Sequence, residues 1–292
     1  MLASATALAL PASLAHAADK LPVTASFSIL GDLVRVVGGD RVTLVHTGWA
    51  RSRCPCVRGQ ALRRQSILGS KLLVTNGLGF EPWAGKLAKS AGYQGQIRGR
   101  LQRRARAAPW PTSTDMQNPT PTPGKTRTTW CFMCATSPRA LSRVDPAGAS
   151  AYQANAEAYV KELQALDSWA KEQFATIPAE KRKVITSHDA FGYFAAHYRI
   201  QFVAPQASPP KPNPVPNRSP SSSGSFSAKN QGGFLENMSN PKLLAQLSKD
   251  AGVTLGTALY ADALSAPGKP GSTYLQMVRH NVTQLAAGMK LN

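Results

Sequence analysis

Acidic residues are scarce in this chain and almost absent from three parts of it. The 292 residues include 34 Lys or Arg but only 15 Asp or Glu, a formal net charge of +19 at pH 7. Three basic stretches, His46–Gly69, Gly95–Leu141 and Ala207–Gly233, hold sixteen basic residues and one acidic residue, Asp115. The rest of the chain holds 18 basic and 14 acidic residues, a net charge of +4, and has the composition of an ordinary soluble α/β protein.

Long apolar runs are also missing. None reaches the roughly 18 residues that a membrane-spanning helix needs. The N-terminus nevertheless looks like an export signal, because Met1–Leu14 is apolar and Ala15-His16-Ala17 fits the cleavage pattern. No Lys or Arg precedes this segment, so the basic start of a signal peptide is lacking, and a short buried helix is the alternative. We predict a signal peptide over residues 1–17 and a periplasmic mature chain.

Cysteine is scarce, and all four cysteines lie in the basic stretches. Cys131 and Cys134 have the spacing of a redox or zinc half-site, but a zinc ribbon needs a second such pair. Cys54 and Cys56 are too close together in sequence to supply it. We therefore interpret the cysteine pattern as accidental.

The segment Arg98–Arg106 has the charge of a nucleic-acid-binding patch, which uses basic residues to neutralise phosphates. Neither an aromatic-rich sheet nor a recognition-helix pattern accompanies it. A basic nucleic-acid-binding protein is the alternative function, favoured by the high net charge.

Outside these stretches, hydrophobic periodicity predicts alternating strands and helices. In the N-terminal half we predict strands at Val23–Ser28, Arg41–Val45 and Lys71–Thr75, and helices at Ile29–Val37 and from about residue 80 to Ser90. In the C-terminal half we predict strands at Lys183–Ser187, Gln201–Ala204 and Val253–Tyr260, a strand ending near Glu236, and helices at Ala190–Tyr198, Asn240–Asp250 and Thr273–Met289. This order predicts mostly parallel sheets with crossover helices.

Asp145–Thr176 is the longest predicted helix. Pro146 suits its first turn, and Leu163, Leu166 and Trp169 form part of one apolar face. At about 1.5 Å per residue, the helix would be roughly 45 Å long. Because it separates the two α/β blocks, we interpret it as a rigid connector, with a core helix of a single domain as the alternative.

The predicted fold class is α/β, with two Rossmann-like lobes of mostly parallel sheet joined by one long helix. The predicted bounds are 18–142 for the N-terminal lobe, 143–178 for the connecting helix and 179–292 for the C-terminal lobe. Disruptions are expected within the lobes at 46–69, 95–141 and 207–233.

Several segments together carry a family resemblance. They are Ser26–Leu33, Asn76–Glu81, Thr186–Phe194, Phe202–Gln206, Phe234–Ser239 and Leu259–Ser265. Their order and spacing, over about two thirds of the chain, resemble the substrate-binding proteins of zinc/manganese ABC transporters. The resemblance implies a monomeric receptor that holds a divalent metal between two lobes and delivers it to a membrane permease. It implies no enzymatic activity and no nucleic-acid partner.

The resemblance implies four metal ligands. Two are histidines of D-x-H-x-F/Y-E and D-P-H-x-W segments, which this chain lacks as written. The other two are His188 and Asp262, which follow predicted strands at the edge where parallel sheets bind ligands. A histidine at this position favours Zn²⁺ as the transported ion, with Mn²⁺ as the alternative, because harder ions favour oxygen ligands. A hydrogen-bonded structural histidine and a turn or capping aspartate are the structural alternatives.

Four further side chains have possible roles near the metal site or in packing. Asp189 and Glu236 could orient the ligands or could be ordinary caps. His197 and His280 lie on predicted helices and are interpreted as surface or packing residues.

Reverse translation recovers the missing motifs in other reading frames. Arg53–Gly59, read one base later, permits D-A-H-A-F-E-A, with the lost histidine codon across Pro55 and Cys56. Pro119–Lys125, read one base earlier, permits D-P-H-A-W-Q, and Ala207–Pro214 permits the loop that the family carries there. We interpret the three stretches as out-of-frame translation between compensating insertions or deletions.

Two structural consequences follow from this interpretation. Metal binding should be weakened, because two ligands from one lobe cannot close a tetrahedral site. Irregular loops are expected at 46–69, 98–139 and 207–233, because Pro- and Arg-rich sequence cannot bury enough apolar area.

Overall fold

The computed structural model of this chain describes residues 19–46, 57–76, 81–99, 138–186, 191–203, 232–234, 257–261 and 263–291. The predicted signal peptide, the four cysteines and the predicted helix Asn240–Asp250 lie outside these residues.

The described strands and helices alternate along the chain. The strands are β1 Leu21–Ala25, β2 Val42–His46, β3 Leu72–Thr75, β4 Gln96–Gly99, β5 Lys183–Thr186, β6 Gln201–Val203 and β7 Gly232–Phe234. The helices are α1 Ser28–Gly38, α2 Val57–Leu68, α3 Pro82–Ser90, α4 138–144, α5 Ala149–Ala175, α6 Gly192–Tyr198 and α7 Tyr274–Lys290. Short 3-10 turns lie at Gly39–Arg41, Pro146–Gly148 and Ala179–Lys181.

The first sheet has the strand order β2-β1-β3-β4, and all its pairings are parallel. Leu21 of the central strand β1 lies opposite Val42, and Val23 lies opposite Leu72. Four of the five residues of β1 are buried, as expected of a strand covered on both faces. The predicted α/β class with parallel sheets is confirmed.

Helix α1 follows its apolar periodicity closely. Its buried residues include Ile29, Leu33 and Val37, and it ends at Gly38, one residue beyond the predicted end. Gly39, which follows the helix, has φ +53° and ψ −138°, a positive-φ conformation that glycine adopts readily because it has no Cβ. A Cβ on Gly38 would lie 2.3 Å from the Val42 side chain, so this position needs glycine for the close approach of β2.

The prediction of an irregular loop through 46–69 is wrong for residues 57–68, which form α2. This segment contains no proline and is rich in Arg, Gln, Leu and Ala, which favour helices. The topology also calls for a helix here. Strands β2 and β3 flank β1 on opposite sides, and parallel strands require a long crossover connection.

Smaller departures from the prediction occur at the edges of the other two stretches. Strand β4 occupies residues 96–99, helix α4 begins at residue 138, and β7 includes residues 232 and 233. Parallel pairing with β3 and β5 explains the two strands, since each adds an edge to an existing sheet. The predicted strand Val253–Tyr260 is reduced, within residues 257–260, to a single bridge at Leu259.

The second sheet has the order β6-β5-β7 and is also parallel. Val184 of the central strand is fully buried. An aromatic cluster from α5, β6, α6 and the residue before α6 packs beside this sheet. Phe191 stacks on Phe202 at a centroid distance of 5.0 Å, and Phe174 packs against Tyr198 at 5.2 Å.

The long helix α5 has 27 residues, about 40 Å, and is preceded by the turn that contains Pro146. The predicted apolar face is confirmed: Leu163 and Leu166 are buried, and Trp169 packs against the core. Helix α5 contacts both α1 and α7. One continuous core therefore joins side chains from β1, α1, α5, β5 and α7.

Candidate metal site

In sequence, the candidate ligand His188 follows strand β5, and Asp262 follows the single bridge at Leu259. Strand β5 ends at Thr186, two residues before His188, and α6 begins at Gly192. His188, Asp262, Asp189 and Glu236 lie outside the described residues.

A buried carboxylate joins two strand ends of the first sheet. The Ser26 hydroxyl, just after β1, donates to Oε1 of Glu81 at 2.5 Å. The backbone N–H of Asn76, just after β3, donates to the same oxygen at 2.7 Å. All three residues are buried. Glu81 therefore fixes the loop ends on the edge of the sheet where parallel α/β proteins bind ligands.

Helix α1 makes hydrogen bonds to the C-terminal part of the chain. The Leu264 N–H donates to Oγ of Ser28 at 2.9 Å, two residues after Asp262. One turn further along α1, Oδ2 of the buried Asp32 accepts from the Tyr274 N–H at 2.8 Å. This carboxylate also accepts from Arg35 at 2.5 Å. Its negative charge lies at the N-terminus of α7, where a helix dipole favours it.

Helix α7 binds the chain on the other side of Asp262. Oδ1 of Asn281 accepts from the Tyr260 N–H at 2.9 Å, and Nδ2 of Asn281 donates to the Tyr260 carbonyl at 2.7 Å. Nε2 of His280 lies 2.9 Å from the Ala258 carbonyl oxygen. Ala261 and Ala263, which flank Asp262 directly, are buried.

A second carboxylate cluster connects α5 to α6, the helix that follows His188 in sequence. Asp167 accepts from His197 at 2.6 Å, from the Tyr198 hydroxyl at 3.0 Å and from Lys171 at 2.5 Å. Burial alone would raise the pKa of Asp167, but the bonds from His197 and Lys171 outweigh it and hold that pKa well below its ordinary value. Burial and the Asp167 charge raise the pKa of Tyr198.

A third cluster fixes the start of α5. Arg41 binds Asp145 through two nitrogens, at 2.9 and 3.0 Å, and the Tyr152 hydroxyl donates to the same carboxylate at 2.5 Å. The Arg41 guanidinium lowers the pKa of Asp145, while burial and Asp145 raise the pKa of Tyr152 to about 12. Because Arg41 and Asp145 lie 104 positions apart in sequence, this cluster ties the start of β2 to the start of the connecting helix.

Among the described residues, no group of three or more His, Cys, Asp or Glu side chains could hold a metal ion. Within the same residues, none of the helices is both long and apolar enough to cross a membrane. His197 and His280, which the sequence predicts to be surface or packing residues, make hydrogen bonds within the protein.

Sequence reasoning assigned no role to Ser28, Asp32, Glu81 or Asn281. Three of them, Ser28, Asp32 and Glu81, lie inside segments that carry the family resemblance. The resemblance therefore marked these positions without indicating their partners. Their partners are far away in sequence, and only the fold brings them together.

Comparison with known proteins places these features in a class, that of metal-binding components of ABC importers. The profile of a family described as zinc-uptake complex component A, periplasmic (ZnuA), matches residues 129–288. This chain belongs to that family. The matched range contains β5, α6, most of α7 and both candidate ligands, His188 and Asp262.

Individual relatives agree with this class. The manganese-binding lipoprotein MntA of Halalkalibacterium halodurans is 26% identical over 272 residues, which cover 93% of this chain and 89% of that protein. The iron-binding protein YfeA of Yersinia pestis is 31% identical over 166 residues, 51% of this chain and 49% of that protein. Several other relatives are likewise matched over about half their length.

Solved structures agree on the fold. The periplasmic zinc-binding protein TroA from Treponema pallidum superposes with a TM-score of 0.71 at 20% identity, covering 92% of this chain and 99% of that one. The predicted family and its fold are therefore confirmed. The family consists of binding components of transporters, not enzymes, as predicted, and the comparisons do not favour the nucleic-acid-binding alternative.

Proposed function

We propose that this chain captures a divalent metal ion outside the cytoplasm and delivers it to the membrane permease of an ABC importer. The match to the zinc-uptake family over residues 129–288 is the observation that carries the proposal. The names of relatives, which are periplasmic proteins or lipoproteins, support export. The signal peptide over 1–17, the monomeric state and the lobe bounds remain predictions.

Within this function, His188 and Asp262 are the proposed metal ligands. An imidazole and a carboxylate suit a borderline ion, and Zn²⁺ binds such sites more tightly than Mn²⁺ does. Relatives bind zinc, manganese or iron according to their names, so we propose zinc with manganese as the alternative.

We also propose that metal binding by this chain is weakened. Neither first-lobe histidine motif is present as written, and the family profile begins only at residue 129. Loss of groups that merely orient ligands costs 10- to 100-fold in metal affinity. Loss of two ligands should therefore cost at least about 100-fold.

The test is a competition titration of the purified chain against a chromophoric chelator, with Zn²⁺ and then Mn²⁺. The matched variants are His188→Ala and Asp262→Ala, and Asp40→Ala, an exposed carboxylate on the turn after α1, is the control. We expect both site variants to weaken Zn²⁺ binding at least tenfold while the control leaves it unchanged. Equal affinity in all four proteins would overturn the ligand assignment.

A second arm tests the reading-frame interpretation. A version with the three stretches translated in the corrected frames should bind Zn²⁺ at least about 100-fold more tightly than the chain as written. If the corrected version also binds no metal, the proposed receptor function is wrong.

A further inference from the structure

Two backbone segments that flank Asp262 in sequence are each held by a side chain from a helix. Two residues before it, both polar groups of the Tyr260 backbone are bound by the Asn281 amide, at 2.9 and 2.7 Å. Two residues after it, the Leu264 N–H is bound by the Ser28 hydroxyl at 2.9 Å. The anchors come from different helices, α7 and α1.

Asn281 is unusual for its position. It lies in the middle of α7 and is 4% exposed, although asparagine is a poor helix former and costly to bury. Both ends of its amide bond to one residue outside the helix, because the oxygen accepts from and the nitrogen donates to Tyr260. These bonds compensate part of the cost of burying the amide, and they hold the Tyr260 backbone against α7.

Ser28 belongs to a helix that is itself fixed against α7. Asp32, one turn along α1, is 5% exposed and accepts the Tyr274 N–H at the start of α7. Within the next loop, Ser265 exchanges hydrogen bonds with Gly271 at 2.9 and 3.1 Å. The described residues that flank Asp262 are therefore attached to α1, to α7 and to their own loop.

We propose that Ser28 and Asn281 are positioning residues that hold the chain around Asp262 in a fixed relation to α1 and α7. This inference rests on the proposed role of Asp262. Ordering a free backbone residue costs conformational entropy. A ligand whose neighbours are already fixed avoids part of that cost when metal binds. The Ser28 bond also ties the C-terminal ligand segment to a helix of the N-terminal lobe.

The test measures amide exchange by NMR in the full chain without metal. Ser28→Ala should accelerate exchange of the Leu264 amide at least tenfold, and Asn281→Ala should do the same for the Tyr260 amide. Ser28→Thr, which keeps the hydroxyl, should restore protection. Ser272→Ala is the matched control, because it removes an exposed hydroxyl hydrogen bond from the same part of the chain.

Amides of α5 report any general loss of stability. Unchanged exchange at Leu264 in Ser28→Ala, or an equal increase throughout α5, would overturn the inference. In a parallel Zn²⁺ titration, Ser28→Ala should bind about tenfold more weakly than the parent, and equal affinity would also overturn it. If the parent takes up no Zn²⁺, the Ser28→Ala titration is made in the corrected-frame version. Failure of that version to bind Zn²⁺ overturns the proposed function, and the exchange data decide separately whether the two anchors exist.

Discussion

Asp167 illustrates how one side chain connects two elements. It accepts hydrogen bonds from Lys171 on its own helix and from His197 and Tyr198 on α6. A carboxylate with several donors is more stable ionised than protonated, which is the cause of its lowered pKa. The folded protein therefore gains stability from this group only while it is ionised.

We predict that Asp167→Asn lowers the free energy of unfolding by about 1–2 kcal/mol at pH 7, since it removes the charged acceptor shared by three donors. Because the folded pKa is depressed, this contribution is complete above the ordinary carboxyl pKa of about 4 and is lost as pH falls below it. Urea unfolding at pH 7, 4 and 3 should show the difference between variant and parent shrinking.

The control for this prediction is Glu172→Gln, which changes an exposed carboxylate on the same helix. It should alter stability by less than about 0.5 kcal/mol at each pH. A difference between Asp167→Asn and the parent that stays constant from pH 7 to pH 3 would contradict the linkage.

At the residue scale, the sequence predicts packing better than polar pairing. Leu163 and Leu166 could be assigned to the core from spacing alone, because a helix repeats every 3.6 residues. The partners of Glu81 and Asn281 could not be assigned, since hydrogen bonds between distant segments leave no periodic signal. Ser28 and Leu264 are 236 positions apart.

At the element scale, α2 is the clearest correction. It lies within a stretch interpreted as out of frame, yet it forms a helix in which Ile67 is fully buried. Ile67 packs with Leu73 and Ala88 in a small cluster separate from the main core. Its helix propensity and the apolar contacts of Ile67 are compatible with the crossover position.

This packing can be tested by a pair of substitutions in α2. Ile67→Ala should lower the free energy of unfolding by about 2–4 kcal/mol, because it deletes fully buried methyl groups. Leu62→Ala, at a residue 59% exposed on the same helix, should cost less than about 0.5 kcal/mol. Chemical denaturation measures both, and equal effects would show that α2 does not pack as described.

At the scale of the whole molecule, the described parts of both sheets share one core. Helix α5 packs against α1 and α7, and Arg279 of α7 lies over the Trp169 ring of α5 at 5.0 Å. The Asp32–Tyr274 bond adds a buried polar contact between α1 and α7. Because both sheets share this core, we expect the two lobes to unfold together.

We therefore predict a single cooperative thermal transition for the metal-free chain. Differential scanning calorimetry should give a calorimetric enthalpy close to the van't Hoff enthalpy. Asp32→Ala should lower the midpoint without splitting the transition, and Asp40→Ala, the exposed control, should leave it unchanged. Two resolved transitions in the parent would mean that the lobes are thermodynamically independent.

The sequence alone determined the α/β class, the long helix, the positions of most strands along the chain and the family. These follow from local periodicity and from short motifs, which survive in the parts of the chain that match relatives. It could not determine that residues 57–68 form a crossover helix, because their own pattern is weakly amphipathic and the need for a crossover arises from the strand order.

Only the tertiary structure decided which polar groups meet. The pairs Ser26 with Glu81, Ser28 with Leu264 and Asp167 with His197 join separate elements. Their positions depend on how the sheets and α5 pack. A hydrogen bond depends on distances of a fraction of an ångström, and those distances are fixed only when the whole core has formed.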